Sequence, residues 1–141
     1  MAFVLDASVT ARWAFEDEDH PRADLALRRV RTEEAVVPSL WWFEVRNILV
    51  VNERRKRITE SGTTSFLRDL NRIPIRVDRV PVETEVLRLA RAHRLSVYDA
   101  AYLELARREG LPLATLDRDL AGAARAEGVP LLGEKLSRLR R

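Results

Sequence analysis

Four acidic residues stand where a packed fold has little structural use for charge: Asp6 after the apolar run AFVL, Glu44 inside LWWFEVRNILVV, Asp99 in LSVYDAAYLELA, and Asp117 closing PLATLD. Each lies at a strand end or on an otherwise apolar helix, which implies partial burial, and a buried carboxylate without a cation is strongly disfavoured. The chain has few lysines to supply that charge. A hard divalent cation held by oxygen ligands meets the need, and Mg²⁺ typically takes a few carboxylates together with water and substrate phosphate. The chemistry served by such a set is metal-assisted hydrolysis of a phosphodiester, in which the cation lowers the pKa of bound water and stabilises charge developing on phosphorus.

The elements that must position these acids follow from hydrophobic periodicity and helix end signals. Ala2 to Leu5 reads as a short buried strand. A helix is expected from Asp6 through Trp13 and Phe15, broken by the acidic patch Glu16 to Asp19, and a second from Pro21 to Arg31. Ala35 to Val37 reads as a strand ended by Pro38. Ser39 to Arg55 and a helix opened by Thr59 and running through Phe66 and Leu70 form a helical hairpin. Ile73 to Val77 reads as a strand, Val82 to His93 and Val97 to Arg108 as helices, the latter ending at Gly110. Pro112 to Thr115 and Val129 to Leu132 complete the strands, around a helix over Leu116 to Ala126.

This alternation implies an α/β fold in which a short-stranded parallel sheet is covered by helices on both faces, an α/β/α sandwich. In such sheets the functional crevice lies beyond the C-terminal strand ends. Asp6 and Asp117 would point into it directly, with Glu44 and Asp99 supplied by neighbouring helices.

Composition narrows the classes. With 141 residues, 46% hydrophobic and 33% charged, the chain is expected to form a single domain over 1–141. It has no cysteine, and with only His20 and His93 a histidine-based zinc site is nearly excluded. No apolar run reaches membrane-spanning length and no leader pattern opens the chain, so a cytoplasmic protein without membrane association is expected. The net charge is only +3, but the pI of 9.9 and the preference for Arg over Lys suit phosphate contact, because the guanidinium fork pairs two oxygens at once.

Each acid also has a plainer reading. Asp6 and Ser8 are both able to cap the first helix. Ser96 and Asp99 match a capping box, and Asp117 is placed to cap the helix that follows. Glu44 lies in a helix interior where no capping rule asks for it, leaving a salt bridge to Arg46 or another arginine as its alternative. Asn47 shares the Glu44 face and is placed either to orient it or to sit solvated at the rim. Ser8 and Thr115 each lie two residues from an acid, where a hydroxyl holds either a metal-bound water or a local backbone group. Asp119 is an additional acid close by. The run Arg54 to Arg57 reads as a solvated helix end or an RNA-backbone contact.

With the acids placed, the chain resembles the PIN-domain nucleases, specifically VapC-type toxins of toxin–antitoxin pairs. FVLDAS is similar to the opening strand and first acid of that family. PSLWWFEVRNIL is similar to its helix bearing an acid and then Asn, LSVYDAAYLELA to its third element, and LATLDRDL to its fourth. The resemblance implies a homodimer, dependence on Mg²⁺ or Mn²⁺, cleavage of RNA, and inhibition by a cognate antitoxin protein. Asp6, Asp99 and Asp117 are then expected to supply most of the ligation, with Glu44 binding a second metal or positioning the attacking water. The alternatives are a non-catalytic nucleic-acid-binding module and a receiver-like phosphoacceptor domain, which would need a strand-end lysine that neither Lys56 nor Lys135 provides.

The Ser39 to Arg55 helix carries apolar residues around most of its circumference. Trp41 and Trp42 project about 100° apart, so one is expected inside and the other on a groove that receives an apolar antitoxin segment. The alternatives are that both are core or that the surplus surface is a homodimer seam.

Overall fold

The computed structural model describes residues 1–15 and 20–134. The acidic patch Glu16 to Asp19, Lys135 and the basic tail Arg138 to Arg141 lie outside the described residues. The elements run β1 (Ala2–Leu5), α1 (Ala7–Arg12), α2 (Pro21–Arg29), β2 (Glu34–Pro38), α3 (Trp41–Arg54), α4 (Glu60–Leu70), β3 (Ile75–Asp78), α5 (Glu83–His93), α6 (Val97–Glu109), β4 (Leu113–Ala114) and α7 (Arg118–Ala126).

The described strands form one parallel sheet in the order β3-β2-β1-β4. Successive strand residues face opposite sides of a sheet, and Phe3, Val4 and Leu5 are all 0% exposed. Both faces of β1 are therefore covered, as an apolar run in a parallel strand requires. Helix α6 packs across β1, β2 and β4, while α1 packs on α2 and α3 and α2 reaches β4. After β1 the chain steps outward through β2 to β3, then returns to place β4 on the other side of β1. The β1–β4 junction is thus the point where strand order reverses, where open α/β sheets form their binding crevice.

Helix α3 buries Trp41, Val45, Leu49 and Asn52, positions that fall on a single face at helical spacing. Helix α4 packs on α3 and fully buries Leu70 alone, as expected of a hairpin standing off the sheet. Its start is fixed by Thr59, whose hydroxyl accepts from the Gly62 N–H at 2.9 Å. Helix α6 stops at Gly110, where φ of 66° is the left-handed conformation that glycine adopts without a Cβ penalty.

Three elements differ from expectation. The first helix ends at Arg12 instead of running through Phe15, because the Ala14 and Phe15 N–H groups reach carbonyls only three residues back, at Ala11 and Arg12. Ile73 and Pro74 do not join β3, since the Ile73 N–H still bonds to Leu70 at the end of α4. The expected strand Val129–Leu132 contributes only the Leu131–Leu113 bridge. Pro130 has no N–H to extend a ladder, although its carbonyl accepts from Leu113.

Candidate active site

Residue Asp6 leaves the C-terminal end of β1 beside β4, its N–H bonded to Ala114 at 3.0 Å. It is 5% exposed. Although it occupies the N-cap position of α1, its side chain makes no capping bond. Instead, Oδ2 accepts from the Ser8 hydroxyl at 2.8 Å and the Thr115 hydroxyl at 2.6 Å. Both hydroxyls are aimed by backbone donors: Ser8 Oγ accepts from Leu116 N–H and Thr115 Oγ1 from Asp117 N–H, each at 3.0 Å. With their lone pairs engaged in this way, each hydroxyl is left to donate to the carboxylate. The helix-capping alternative for Asp6 and Ser8 is therefore not what the structure builds.

Capping accounts for more at the other two aspartates. Asp117 Oδ1 accepts from the Leu120 N–H at 2.9 Å and caps α7. At Asp99 only half of a capping box forms: Ser96 Oγ accepts from the Asp99 N–H at 3.0 Å, which leaves the half-buried Asp99 carboxylate for other work. Glu44 projects from the first turn of α3 and accepts from the Tyr102 hydroxyl at 2.6 Å. Its expected partner Arg46 turns away, donating to the Trp42 carbonyl and lying 4.1 Å from the Trp42 ring centroid.

The electrostatics join these residues into one site. Burial, followed by the repulsion of Asp117, Asp6 and Asp119, pushes Asp99 up to about 6. Burial raises Asp6 against its hydroxyl donors, with Asp117 adding to the rise. Glu44 is raised by burial and by Asp6 and Asp99, against the Tyr102 hydrogen bond. Among the described residues, no arginine or lysine offsets these shifts. Like charges held together against solvent are a site that a cation would relieve.

The described acidic side chains do not close into a ready-made cage of three or more ligands. That openness suits Mg²⁺, which keeps several waters and takes one or two carboxylates. Asp119 is exposed and touches the group only through its field at Asp99. Asn47 is exposed, and no hydrogen bond ties it to Glu44 among the described residues. Trp41 is 6% exposed and donates its indole N–H to Thr10 Oγ1 at 2.9 Å, so a partner cannot reach it. That corrects its expected partner-binding role. Trp42, at 52% exposure, and Phe43, at 70%, carry the apolar surface instead.

The residue missed from sequence is Tyr102. It lies one helical turn from Asp99, and a fully buried phenol needs a hydrogen-bond partner. The spacing from Asp99 is the part of this that the sequence shows.

Comparison with known proteins identifies the family. The PIN domain profile matches residues 3–126. The chain belongs to the PIN-domain family. Among curated PIN-domain relatives, Ribonuclease VapC3 of Pyrobaculum aerophilum is 34% identical over 125 residues, covering 86% of this chain and 93% of the relative. The crystal structure of PAE2754 from Pyrobaculum aerophilum superposes with a TM-score of 0.72 at 25% identity, covering 99% of this chain and 96% of that one. The fold is also shared with Mycobacterium tuberculosis VapC20, described as a sarcin-ricin loop cleaving toxin. That match has a TM-score of 0.61 at 19% identity over 86% of this chain and 94% of the other. Among the described residues, no helix of this PIN-domain chain is long and apolar enough to cross a membrane.

Proposed function

We propose that this PIN-domain chain, acting as a single domain over 1–141, is a metal-dependent endoribonuclease and the toxin of a toxin–antitoxin pair. The observation that carries the reading is the convergence of Asp6, Glu44 and Asp99 at the sheet's reversal point with raised proton affinities and no cationic partner among the described residues. The name of the curated relative, Ribonuclease VapC3, supports the substrate class.

Asp6, Asp99 and Asp117 are the residues that would hold Mg²⁺ or Mn²⁺, with Glu44 at a second position or on the attacking water. When bound, the cation supplies Lewis-acid stabilisation of the phosphate and a more acidic water. The protein's part is orientation. Ser8 and Thr115 fix the Asp6 carboxylate through Oδ2, and Tyr102 fixes Glu44 through Oε1. An ionised Glu44 held in this way is placed to accept a proton from the nucleophilic water, a role suited to a carboxylate whose pKa is raised. Asp117 spends one oxygen on the α7 cap, which anchors it to the helix N-terminus.

A receiver-like reading needs a strand-end lysine, and Lys56, the one lysine among the described residues, sits exposed in the turn after α3. We assign the exposed Trp42 and Phe43 surface to a cognate antitoxin or a homodimer partner, and the cytoplasm as the place of action. The test is cleavage of RNA with and without Mg²⁺, comparing wild type with Asp6→Asn. Metal-dependent cutting lost in the variant is expected, and equal cutting by both would refute the site.

A further inference from the structure

The turn between α5 and α6 leads straight into the acid cluster, because Tyr98 precedes Asp99 in the first turn of α6. Leu95 is buried in the middle of that turn, and the N–H groups of Arg94 and Leu95 both bond the Ala90 carbonyl of α5. Ser96 then caps α6 by accepting from the Asp99 N–H at 3.0 Å. A turn fixed at both ends holds what it displays in a set place, and it displays Arg94 and Tyr98, both exposed.

Arg94 is held there against the preference of its backbone. Its φ of 53° is left-handed, a conformation that glycine adopts freely and a residue with a Cβ adopts at a cost. Helix α6 ends on Gly110 at a φ of 66°, but α5 ends on an arginine in the same conformation. Backbone strain of this kind clusters at functional sites. Among the described residues Lys56 is the other non-glycine with positive φ, and it lies beyond the end of α3 opposite Glu44. Neither Arg94 nor Arg91, one turn earlier, has an ion pair among the described residues. Glu127, which bonds the neighbouring His93, is taken up by Arg88 and Arg107.

Tyr98 is 63% exposed. Among the described residues its hydroxyl has no hydrogen bond and its ring no aromatic or cationic contact. A lone exposed aromatic is ordinary on a protein surface, but this one adjoins an acid of the site. Trp42 differs, because the Phe43 ring lies 4.9 Å and the Arg46 guanidinium 4.1 Å from its ring centroid. The cavity of about 540 Å³ at the far end of α6 differs too. Its Arg107 and Arg108 are matched by Glu85, Glu127 and Glu104.

We infer that the α5–α6 turn is a subsite for the nucleotide beside the scissile phosphate of single-stranded RNA, its base stacked on Tyr98 and its outer phosphate held by Arg94. An aromatic face with a cation close by is the pairing that single-stranded nucleic acid uses, and stacking asks for no particular base. The guanidinium fork takes two phosphate oxygens at once. Asp99 is governed by burial and by its fellow carboxylates, not by Arg94, so Arg94 suits the next phosphate along the strand and not the one at the acids. The inference rests on the proposed ribonuclease reading.

The test measures binding of a labelled single-stranded RNA oligonucleotide to the Asp6→Asn chain with metal chelated, so that the strand stays whole. Tyr98→Ala is expected to weaken binding about 10-fold, within the range for one lost base stack, while the plot of log affinity against log salt keeps its slope. Tyr98→Phe retains the ring and should bind as the parent does. Arg94→Gly should weaken binding and flatten that plot by about 0.7 for one lost phosphate contact. Its melting temperature should hold or rise, because glycine accepts the left-handed backbone, a combination that loss of folding would not produce. Arg28→Ala, in the last turn of α2 where the chain heads for the N-terminal end of β2, should change neither affinity nor slope. Unchanged binding in either Tyr98→Ala or Arg94→Gly would overturn the subsite and leave the turn to a protein partner, and no binding by the Asp6→Asn parent would overturn it as well. If both variants behave as expected but wild type cuts no RNA with Mg²⁺, the subsite stands and the nuclease reading fails.

Discussion

The Tyr102 hydroxyl donates to Glu44 Oε1 at 2.6 Å across 58 residues of sequence, joining α6 to α3 at the site. Tyr102 is 0% exposed, and its own proton is held more tightly than in an ordinary phenol because it is buried and faces Asp6 and Glu44. It therefore remains a donor throughout the working pH range.

Removing that donor has a defined cost. Tyr102→Phe should lower unfolding stability by about 1.5–3 kcal/mol, the usual range for a hydrogen bond to a charged group. It should also reduce cleavage by leaving Glu44 free to rotate. Urea denaturation together with the RNA assay would check both, and a variant of unchanged stability and rate would remove Tyr102 from the site.

Asp99→Asn separates repulsion from capping. The bond at this helix start uses the Asp99 backbone N–H and Ser96 Oγ, both of which asparagine retains. Without metal the variant is expected to melt at or above the wild-type temperature while cleaving no RNA. A large fall in melting temperature would show that the carboxylate is structural.

The pH dependence has a worked sign. The folded pKa of Asp99 is raised to about 6, above an unfolded value near 3.9, so between those values the folded state binds more protons than the unfolded one. Stability of the metal-free protein should therefore fall as pH rises from about 4 to 6, with Asp6 and Glu44 shifted in the same direction. Added Mg²⁺ should raise the melting temperature at pH 7 more than at pH 5, because a cation bound only by the folded state stabilises it and protons compete for the same carboxylates. Metal-dependent activity should likewise decline at acid pH.

The two adjacent tryptophans should behave oppositely. Trp41→Ala empties a buried position and removes the donor to Thr10 Oγ1, which keeps its own bond to the Asp6 carbonyl, costing about 3–5 kcal/mol. Trp42→Ala, on the exposed side, should leave stability within about 0.5 kcal/mol and weaken antitoxin capture or self-association. Thermal melts and sizing chromatography with the purified partner would distinguish them. Equal destabilisation by both would place the partner surface elsewhere.

Much of this site could be read in advance because its acids break local patterns. Asp6 follows an apolar strand, and Glu44 interrupts the apolar run of α3, although the structure places it in the first turn and not in the helix interior the sequence suggested, so hydrophobic patterning singled both out. The order of the strands could not be read the same way. Only two residues form β4, too few to show alternation, and its place beside β1 is decided by packing under α6. The bond from Thr115 to Asp6 depended on that adjacency: it joins the same carboxylate oxygen as Ser8, whereas sequence spacing offered Thr115 a metal-bound water or a local backbone group. The separation of Trp41 from Trp42 followed from helical geometry, yet which one turned inward was settled by Thr10, a partner 31 residues away.

Asp6 and Thr115 meet only where β1 lies against β4, and 109 residues separate them. A chain emerging from the ribosome has made its first carboxylate long before the hydroxyl that fixes it. Until β4 is synthesised, β1 lacks its neighbour on that side and Asp6 lacks the walls that bury it. Asp99 and Asp117 also arrive late. A partly made copy therefore lacks both the strand contact that fixes Asp6 and the later carboxylates that complete the acid cluster.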